Sequence, residues 1–521
     1  MLGPPKTRDL DRPALVSLET LVPADHFYRQ LERALDLGFV RAWVADNYAA
    51  RGRPGIDPQV FFKLQLIMFF EGLRSERRLM ETVRLNLAHR WYLGYHLDEA
   101  LPDHSSLTRI RERYDLDVFR RFFDAIVEQC RAAGLVWGEE LYLDATQVEA
   151  DAALDSVAPR FAVEAHLARL FPPDTVIMAI EEATLGADAV TDTPPTAHIG
   201  SAPTPLPLAL PDEAYATLAT ENTARHDWLA EAGRQQREVA HNDYRRKADF
   251  QASRTDPDAT VMRRKGGGAH LGYHDHYVVD GGRARIILRV LVTPAEVMEN
   301  QPALDLVWQT CFRWRLRPRQ VTGDTTYGTI ENIKALEDAR IRAFLPIADA
   351  DKKNPLYGKG RFSYDAARDV YVCPQGQALP RDSQSNTERL TRYQAPAAVC
   401  NACPCKAACT TSNHGRTIAR SFDEAYVERV RAYAGTAPYE RARRKRQVWV
   451  EPLFGEAKAW HGLRRFRLRG LDKVNIEALL TATGQNLKRL LSRRGRGGRS
   501  GPSGAPGVRL GPLAVSGVGW R

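Results

Sequence analysis

Three acidic residues hold most of the chemistry this chain could perform. Asp144 interrupts the apolar run Leu141-Tyr142-Leu143-Asp144-Ala145-Thr146, which otherwise reads as a buried strand. Asp324 follows Gln320-Val321-Thr322-Gly323 and precedes a Tyr327-Gly328 turn. Glu451 opens Glu451-Pro452-Leu453-Phe454-Gly455-Glu456-Ala457-Lys458 inside a very basic helical stretch. Burying a carboxylate is costly unless a cation or donor compensates it. Three carboxylates beside a basic helix therefore suggest a site for two divalent metals and a nucleic-acid backbone. Taken singly, each reads more simply as a solvated or ion-paired carboxylate. Glu456 is a rival third carboxylate, but only two residues before Lys458 it faces another way.

Residues 441 to 475 carry eleven Lys or Arg against Glu451, Glu456 and Asp472. Such a run is usually a solvated face. Because this one surrounds the third carboxylate and contains Trp449, Trp460 and Phe466, phosphate contact with some base stacking is expected. A second cluster is Cys373 followed by Cys400-x2-Cys403-x5-Cys409, with Cys405 as a spare thiol. Its C-x-x-C knuckle suits a tetrahedral structural Zn2+, and free structural cysteines are the alternative. His270, His274 and His276 alternate along a strand and read as surface or DNA-near residues, not as a zinc site.

The elements that must position these groups change character along the chain. Residues 1 to 130 read as helical. Asp57-Pro58 caps a nearly all-round apolar helix, and further helices start near Ser75 and Ser105. Arg74, Arg77, Arg78, Arg84, Arg109, Arg111 and Arg113 stud them, so a helix-turn-helix reader of DNA and a bundle with solvated faces both fit. From Gly138 a strand runs through Asp144. Residues 151–262 read as an insertion, with helices near 160–172 and 213–250 around a disordered Pro/Thr/Ala-rich loop at 186–212. Two strands, His270 to Asp280 and Arg283 to Thr293, then join at Gly281-Gly282. A helix from Glu299, a strand to Asp324, a helix from Ile330 and a strand through Phe344 follow. That order predicts an α/β fold: an RNase H-like mixed sheet with helices, interrupted by insertions and preceded by an all-helical N-terminal domain. The core should comprise 138–349 and 420–492, with 350–419 a cysteine-rich insertion and 493–521 a disordered basic tail.

Across 521 residues the formal net charge is +10, which favours a polyanionic partner. The longest apolar run, Leu64 to Phe70 around Gln65, is too short to cross a bilayer, and no secretory signal opens the chain. A soluble, cytoplasmic, nucleoid-associated protein is expected.

Asp144 on a strand, Asp324 after a later strand and Glu451 on a helix resemble the catalytic triad of bacterial insertion-sequence DDE transposases. The segments Asp144-Ala145-Thr146-Gln147-Val148-Glu149-Ala150-Asp151-Ala152 and Gly323-Asp324-Thr325-Thr326-Tyr327-Gly328 are similar to that family's first and second Asp segments. Asp256-Pro257-Asp258-Ala259, leading through Gly272-Tyr273 to Asp280, resembles its second and third strands. Lys458 stands seven positions after Glu451, matching the family's Glu-x6-Lys signature. The family's Arg four positions before the Glu is here Gln447, with Arg444 and Arg446 near, and Tyr439 misses the expected Tyr spacing. Gly462-Leu463-Arg464-Arg465-Phe466 and Asn486-Leu487-Lys488-Arg489 resemble its closing helices. The resemblance implies Mg2+ or Mn2+ held by Asp144, Asp324 and Glu451, with Lys458, Arg444, Arg446, Arg464 and Arg465 on DNA. It implies metal-dependent cleavage at element ends and strand transfer by a 3′-hydroxyl, by a homodimer on double-stranded DNA. A catalytically silent DNA-binding descendant and a nuclease that cuts without joining are the competing expectations.

Overall fold

The computed structural model describes residues 15–48, 55–159, 251–263, 267–348 and 355–496. The expected loop 186–212, the helices near 160–172 and 213–250, and the tail beyond 496 lie outside the described residues.

Short helices α1 (Leu18–Leu21), α2 (Phe27–Ala34) and α3 (Phe39–Trp43) lead to α4 (Pro58–Phe70). Asp57 accepts the Gln59 N–H and Pro58 takes the first helical position, so α4 begins where its sequence requires. Apolar nearly all round, α4 is buried from Phe61 through Phe69 except at Lys63. Helices α5 (Glu76–Leu85), α6 (Leu87–Leu93) and α7 (His104–Ala132) follow, capped by Ser75, Asn86 and Asp103. Asp115 breaks α7 at φ +51°. Its carboxylate accepts the Asp117 and Val118 N–H groups and so caps the second half.

The main sheet has strands β1 (Glu140–Glu149), β4 (Thr260–Arg263), β5 (Ala269–Asp280), β6 (Ile287–Pro294), β7 (Gln320–Thr322) and β8 (Arg342–Phe344). A separate ribbon pairs β2 (Val157–Pro159) with β3 (Gln251–Ser253). In the main sheet the order is β6-β5-β1-β7-β8. The first three strands are antiparallel, and β7 and β8 run parallel to β1. Helices α8 (Ala303–Trp314) and α9 (Ile330–Asp338) make the crossovers that parallel pairing demands. This is the RNase H-like mixed sheet the sequence predicts. Two boundaries move. Thr260–Arg263, expected inside the insertion, pairs with β5 on the edge it shares with β6, because Gly267 and Gly268 at positive φ turn the chain back. The strand to Asp280 is the third of this sheet in chain order, and the fourth begins at Ile287 where Arg283 was expected.

The cysteine-rich segment forms its own antiparallel sheet: β9 (Ser363–Asp365), β10 (Val370–Val372), β11 (Ala378–Ser385), β12 (Leu390–Gln394) and β13 (Thr417–Ser421). Two short helices, α10 (Ala397–Asn401) and α11 (Lys406–Cys409), are inserted before β13. The chain then returns through α12 (Glu424–Tyr433), α13 (Ala437–Trp449), α14 (Glu451–Trp460) and α15 (Leu471–Arg496). The first residues assigned to the tail, 493–496, thus extend α15.

Helix α15 joins the two halves. Phe69 of α4 packs so closely on Gly484 that a Cβ there would stand 2.3 Å from the ring, which only glycine tolerates. On the other side, Asn486 pairs with both the N–H and the C=O of Ile287 at 2.9 Å. Asn475 does the same for Val292 at 2.8 and 3.0 Å. Edge-strand backbone groups that the sheet leaves unpaired are thereby satisfied. One hydrophobic core runs from Val22 to Leu490, so the N-terminal helices form a bundle that shares its interior with the sheet.

Candidate functional site

Asp144 lies in the middle of β1, with Leu141, Tyr142 and Leu143 buried before it. It is 8% exposed, and burial pushes its carboxyl up to about 6. The Arg446 guanidinium opposes that rise at 3.0 Å, while the negative charges of Asp324 and Glu451 add to it. Asp324 is the second residue past β7. Tyr142 pairs in parallel with Thr322, so each aspartate comes two residues after that pair, and the Asp324 charge acts on Asp144. Asp324 accepts the Thr326 N–H at 2.8 Å. Gly323 is needed because a Cβ would stand 2.9 Å from Tyr327, whose ring is buried beneath the turn.

Glu451 is the first residue of α14, with its side chain 51% exposed. The expected continuous basic helix is broken here: Pro452 has no N–H for the preceding turn, so α13 ends at Trp449 and a new helix starts. A carboxylate at a helix N-terminus meets the positive end of the helix dipole. Arg446, on α13, donates to Glu451 at 3.3 Å as well as pairing with Asp144, so one guanidinium bridges two of the three acids. Glu456 is elsewhere. It pairs with Lys488 at 2.5 Å, Arg489 at 3.5 Å and His461 at 3.6 Å, all away from the aspartates.

The basic residues separate into two groups. Arg444, Arg464 and Arg465 are exposed, with Arg465 paired to Asp151 at 3.1 Å. Lys458 is turned toward β1, donating to Thr146 Oγ1 at 2.6 Å and to the Gln147 carbonyl at 2.9 Å. The three aromatic residues also differ. Trp460 is 74% exposed, Trp449 lies under the Lys445 ammonium at 4.3 Å, and Phe466 is fully buried against Tyr273. Phe466 therefore cannot stack on a base.

Two histidines correct the surface reading as well. His274 and His276 are buried, facing the Val297 carbonyl at 3.0 Å and the Thr293 hydroxyl at 2.9 Å. Burial lowers both, His276 to about 3. Sequence reading missed Asp275 between them, fully buried on the Asp144 face of the sheet. Its only signal was a charged residue inside a strand otherwise buried from Leu271 to Asp280.

All seven cysteines are free thiols. Cys373, Cys400, Cys403, Cys405 and Cys409 line one cavity of about 30 Å³. The Gln377 N–H points at Cys373 Sγ and the Arg416 N–H at Cys400 Sγ, each at 3.4 Å. Burial pushes the Cys409 thiol up; Arg416 opposes the rise, and Cys400, Cys373 and Cys403 add to it. Cys405 instead takes the Gln375 amide at 3.2 Å. Among the described residues, no three His, Cys, Asp or Glu side chains stand close enough, as placed, to hold a metal ion.

Two family models match the chain. One described as "Transposase DDE domain" covers residues 372–491, including the five clustered cysteines, Glu451 and Lys458 but neither Asp144 nor Asp324. The other, "Transposase domain (DUF772)", covers residues 16–113, the N-terminal helices. No curated protein and no solved structure matches. Among the described residues no helix is long and apolar enough to cross a membrane. With the RNase H-like sheet order, the two matches place the chain among the DDE transposases of insertion sequences.

Proposed function

We propose that this transposase cuts DNA at the ends of its element and joins the freed 3′-hydroxyl to target DNA, using Asp144, Asp324 and Glu451. The observation that supports it most is that Asp144 on β1 feels the charges of Asp324, just past the parallel β7, and of Glu451, which is reached across Arg446. In the first step a water oxygen attacks phosphorus and the P–O3′ bond breaks, leaving a 3′-hydroxyl. In the second, that hydroxyl attacks a target phosphorus and displaces the target's own 3′ oxygen.

The donor set fits hard divalent cations: three carboxylates, one of them buried enough to bind its proton tightly. Asp144, held rigid at the sheet centre, would hold Mg2+ or Mn2+ together with Asp324 and Glu451. When bound, two such metals stabilise the attacking and leaving oxygens of an in-line displacement. Arg446 supplies positive charge among the acids, and exposed Arg444, Arg464 and Arg465 offer phosphate contacts that position the duplex. Lys458 remains a candidate phosphate contact by its spacing alone. We further propose that Cys373, Cys400, Cys403 and Cys409 hold a structural Zn2+. The two N–H groups aimed at thiol sulfurs favour thiolates there, and Cys405 stands aside. The DNA-bound form is taken to be a homodimer acting in the cytoplasm at the nucleoid.

The experiment is strand cleavage of end DNA with Mg2+. Asp324→Asn and Glu451→Gln should each cut more slowly by well over the 10–100-fold that a lost outer-shell partner costs, with end binding kept. A silent DNA-binding protein would show wild-type binding and no cleavage, and a nuclease would cut without joining. Wild-type cleavage by Asp324→Asn would overturn the assignment.

A further inference from the structure

Helix α14 touches the sheet at three points along one face. Glu451 reaches Asp144 through Arg446, Phe454 stacks on Tyr277 with centroids 4.3 Å apart, and Lys458 bonds to Thr146 and Gln147. Residues three and seven positions along a helix return to the same side. On the sheet, Asp144 pairs with Tyr277 and Thr146 with Asp275, so all four side chains occupy one face, one pleat apart.

Asp275 is fully buried, and neither of its oxygens has full hydrogen-bond geometry to a partner; the Tyr277 hydroxyl lies close without it. Burial pushes Asp275 well above the usual carboxylate range, with Tyr277 and the Lys458 charge acting against it. The Lys458 ammonium lies near enough for its charge to favour the ionised form of this acid. The stem of Lys458 crosses from α14 to β1 to do so.

We propose that Lys458 is a positioning residue, fastening the far end of α14 to β1 at Thr146 and Gln147 above Asp275, and thereby fixing Glu451 opposite Asp144. The inference rests on the proposed cleavage chemistry for its catalytic consequence but not for its structural one. Without the tether, α14 keeps the packing of Leu453, Phe454 and Ala457, and its N-terminal carboxylate loses its fixed distance from the aspartates. With two of its three donors on the protein's own oxygens, this ammonium is expected to add little to DNA affinity.

The test compares wild type, Lys458→Met, Lys458→Arg and the milder Thr146→Val, all in the full chain. Hydrogen exchange reads the tether with no activity needed: amides of 453–460 should exchange faster in Lys458→Met, with the remainder of the core unchanged. In cleavage at saturating DNA, Lys458→Met should be slower by about 10–100-fold, the usual cost of an outer-shell loss. Its half-maximal Mg2+ concentration should rise, and Lys458→Arg should recover part of both. Thr146→Val should shift the same quantities less, which keeps the test open if Lys458→Met folds poorly. The salt slope of end binding should stay at the wild-type value. A slope reduced by about one with normal exchange in α14 would make Lys458 a phosphate contact and overturn the proposal. A wild-type protein that never cuts would defeat the proposed function while the exchange result still judged the tether.

Discussion

The carboxylate cluster and the cysteine module are built on opposite plans. The three acids come from segments far apart in sequence and meet on one large core that runs from Val22 to Leu490. The cysteines come from one stretch and line a cavity of about 30 Å³ beside a small separate core of Phe362, Tyr371, Leu379, Tyr393, Ala395 and Ile418. One site ends in an exposed glutamate with arginines around it; the other is closed by N–H groups aimed at sulfur. Oxygen ligands at an open edge suit an ion that must share its coordination with a polymer. Thiols around a closed space suit an ion that substitutes for missing hydrophobic core.

The largest effect that could break this contrast is in the module. Replacing Cys400 and Cys403 together by Ser should abolish zinc binding and unfold β9–β13, since structural zinc contributes about 10–16 kcal/mol of apparent binding free energy to such folds. Limited proteolysis should then cut between 355 and 421 while the main core survives. Absence of zinc in reductant-purified wild type, or unaltered proteolysis in the double variant, would remove the second metal from the comparison and leave the module held by its six buried residues alone.

How much of this could be read in the sequence follows the same division. The sheet order and the two aspartates were legible because each is a local signal: an acid in or just after an apolar, β-rich run. The Asp57-Pro58 and Ser75 helix starts were legible for the same reason, since a cap acts within three residues. What could not be read was tertiary. The sequence gives no sign that Arg446 lies between two acids, or that Lys458 turns inward to Thr146. A period of two places His274 and His276 on one side of the sheet without saying that Thr293 and Val297 cover that side. Arg444 and Lys458 belong to one basic stretch of the sequence, and a single proline puts them on two helices.

A middle-sized effect separates two glutamates on α14. Burial works against ionising Glu456, but nearby His461, Lys488 and Arg489 outweigh it and hold its carboxyl well below the usual range. Such a group adds stability above its unfolded value that is lost as pH falls toward the folded one. Glu456→Gln should therefore lose about 1–3 kcal/mol of stability near neutral pH, as for a charged hydrogen-bond partner removed. It should still cut DNA below its melting temperature. Glu451→Gln should do the reverse. A Glu456→Gln protein that is stable but inactive would move the third carboxylate to Glu456.

The smallest effect tests whether the two faces of the sheet answer to pH with opposite signs. On one face burial lowers His276 to about 3, with His274 adding to the effect, so the His276 imidazole is neutral in the fold. The unfolded chain protonates His276 near 6.5, so its contribution is complete above that value and lost as pH falls toward 3. On the other face burial raises Asp144 to about 6. An acid raised in the fold contributes stability below its unfolded value near 3.8, and that contribution is lost as pH rises through 6. Between pH 6 and 4 the two terms oppose each other, each worth at most about 1.4 kcal/mol per pH unit. Denaturant unfolding with a chelator present reads each term as the difference between a variant and wild type. His276→Gln, which keeps a donor for Thr293, should gain stability relative to wild type as pH falls, and Asp144→Asn should lose it. If both variants track wild type across that range, the burial contrast between the two faces is not what sets their charge.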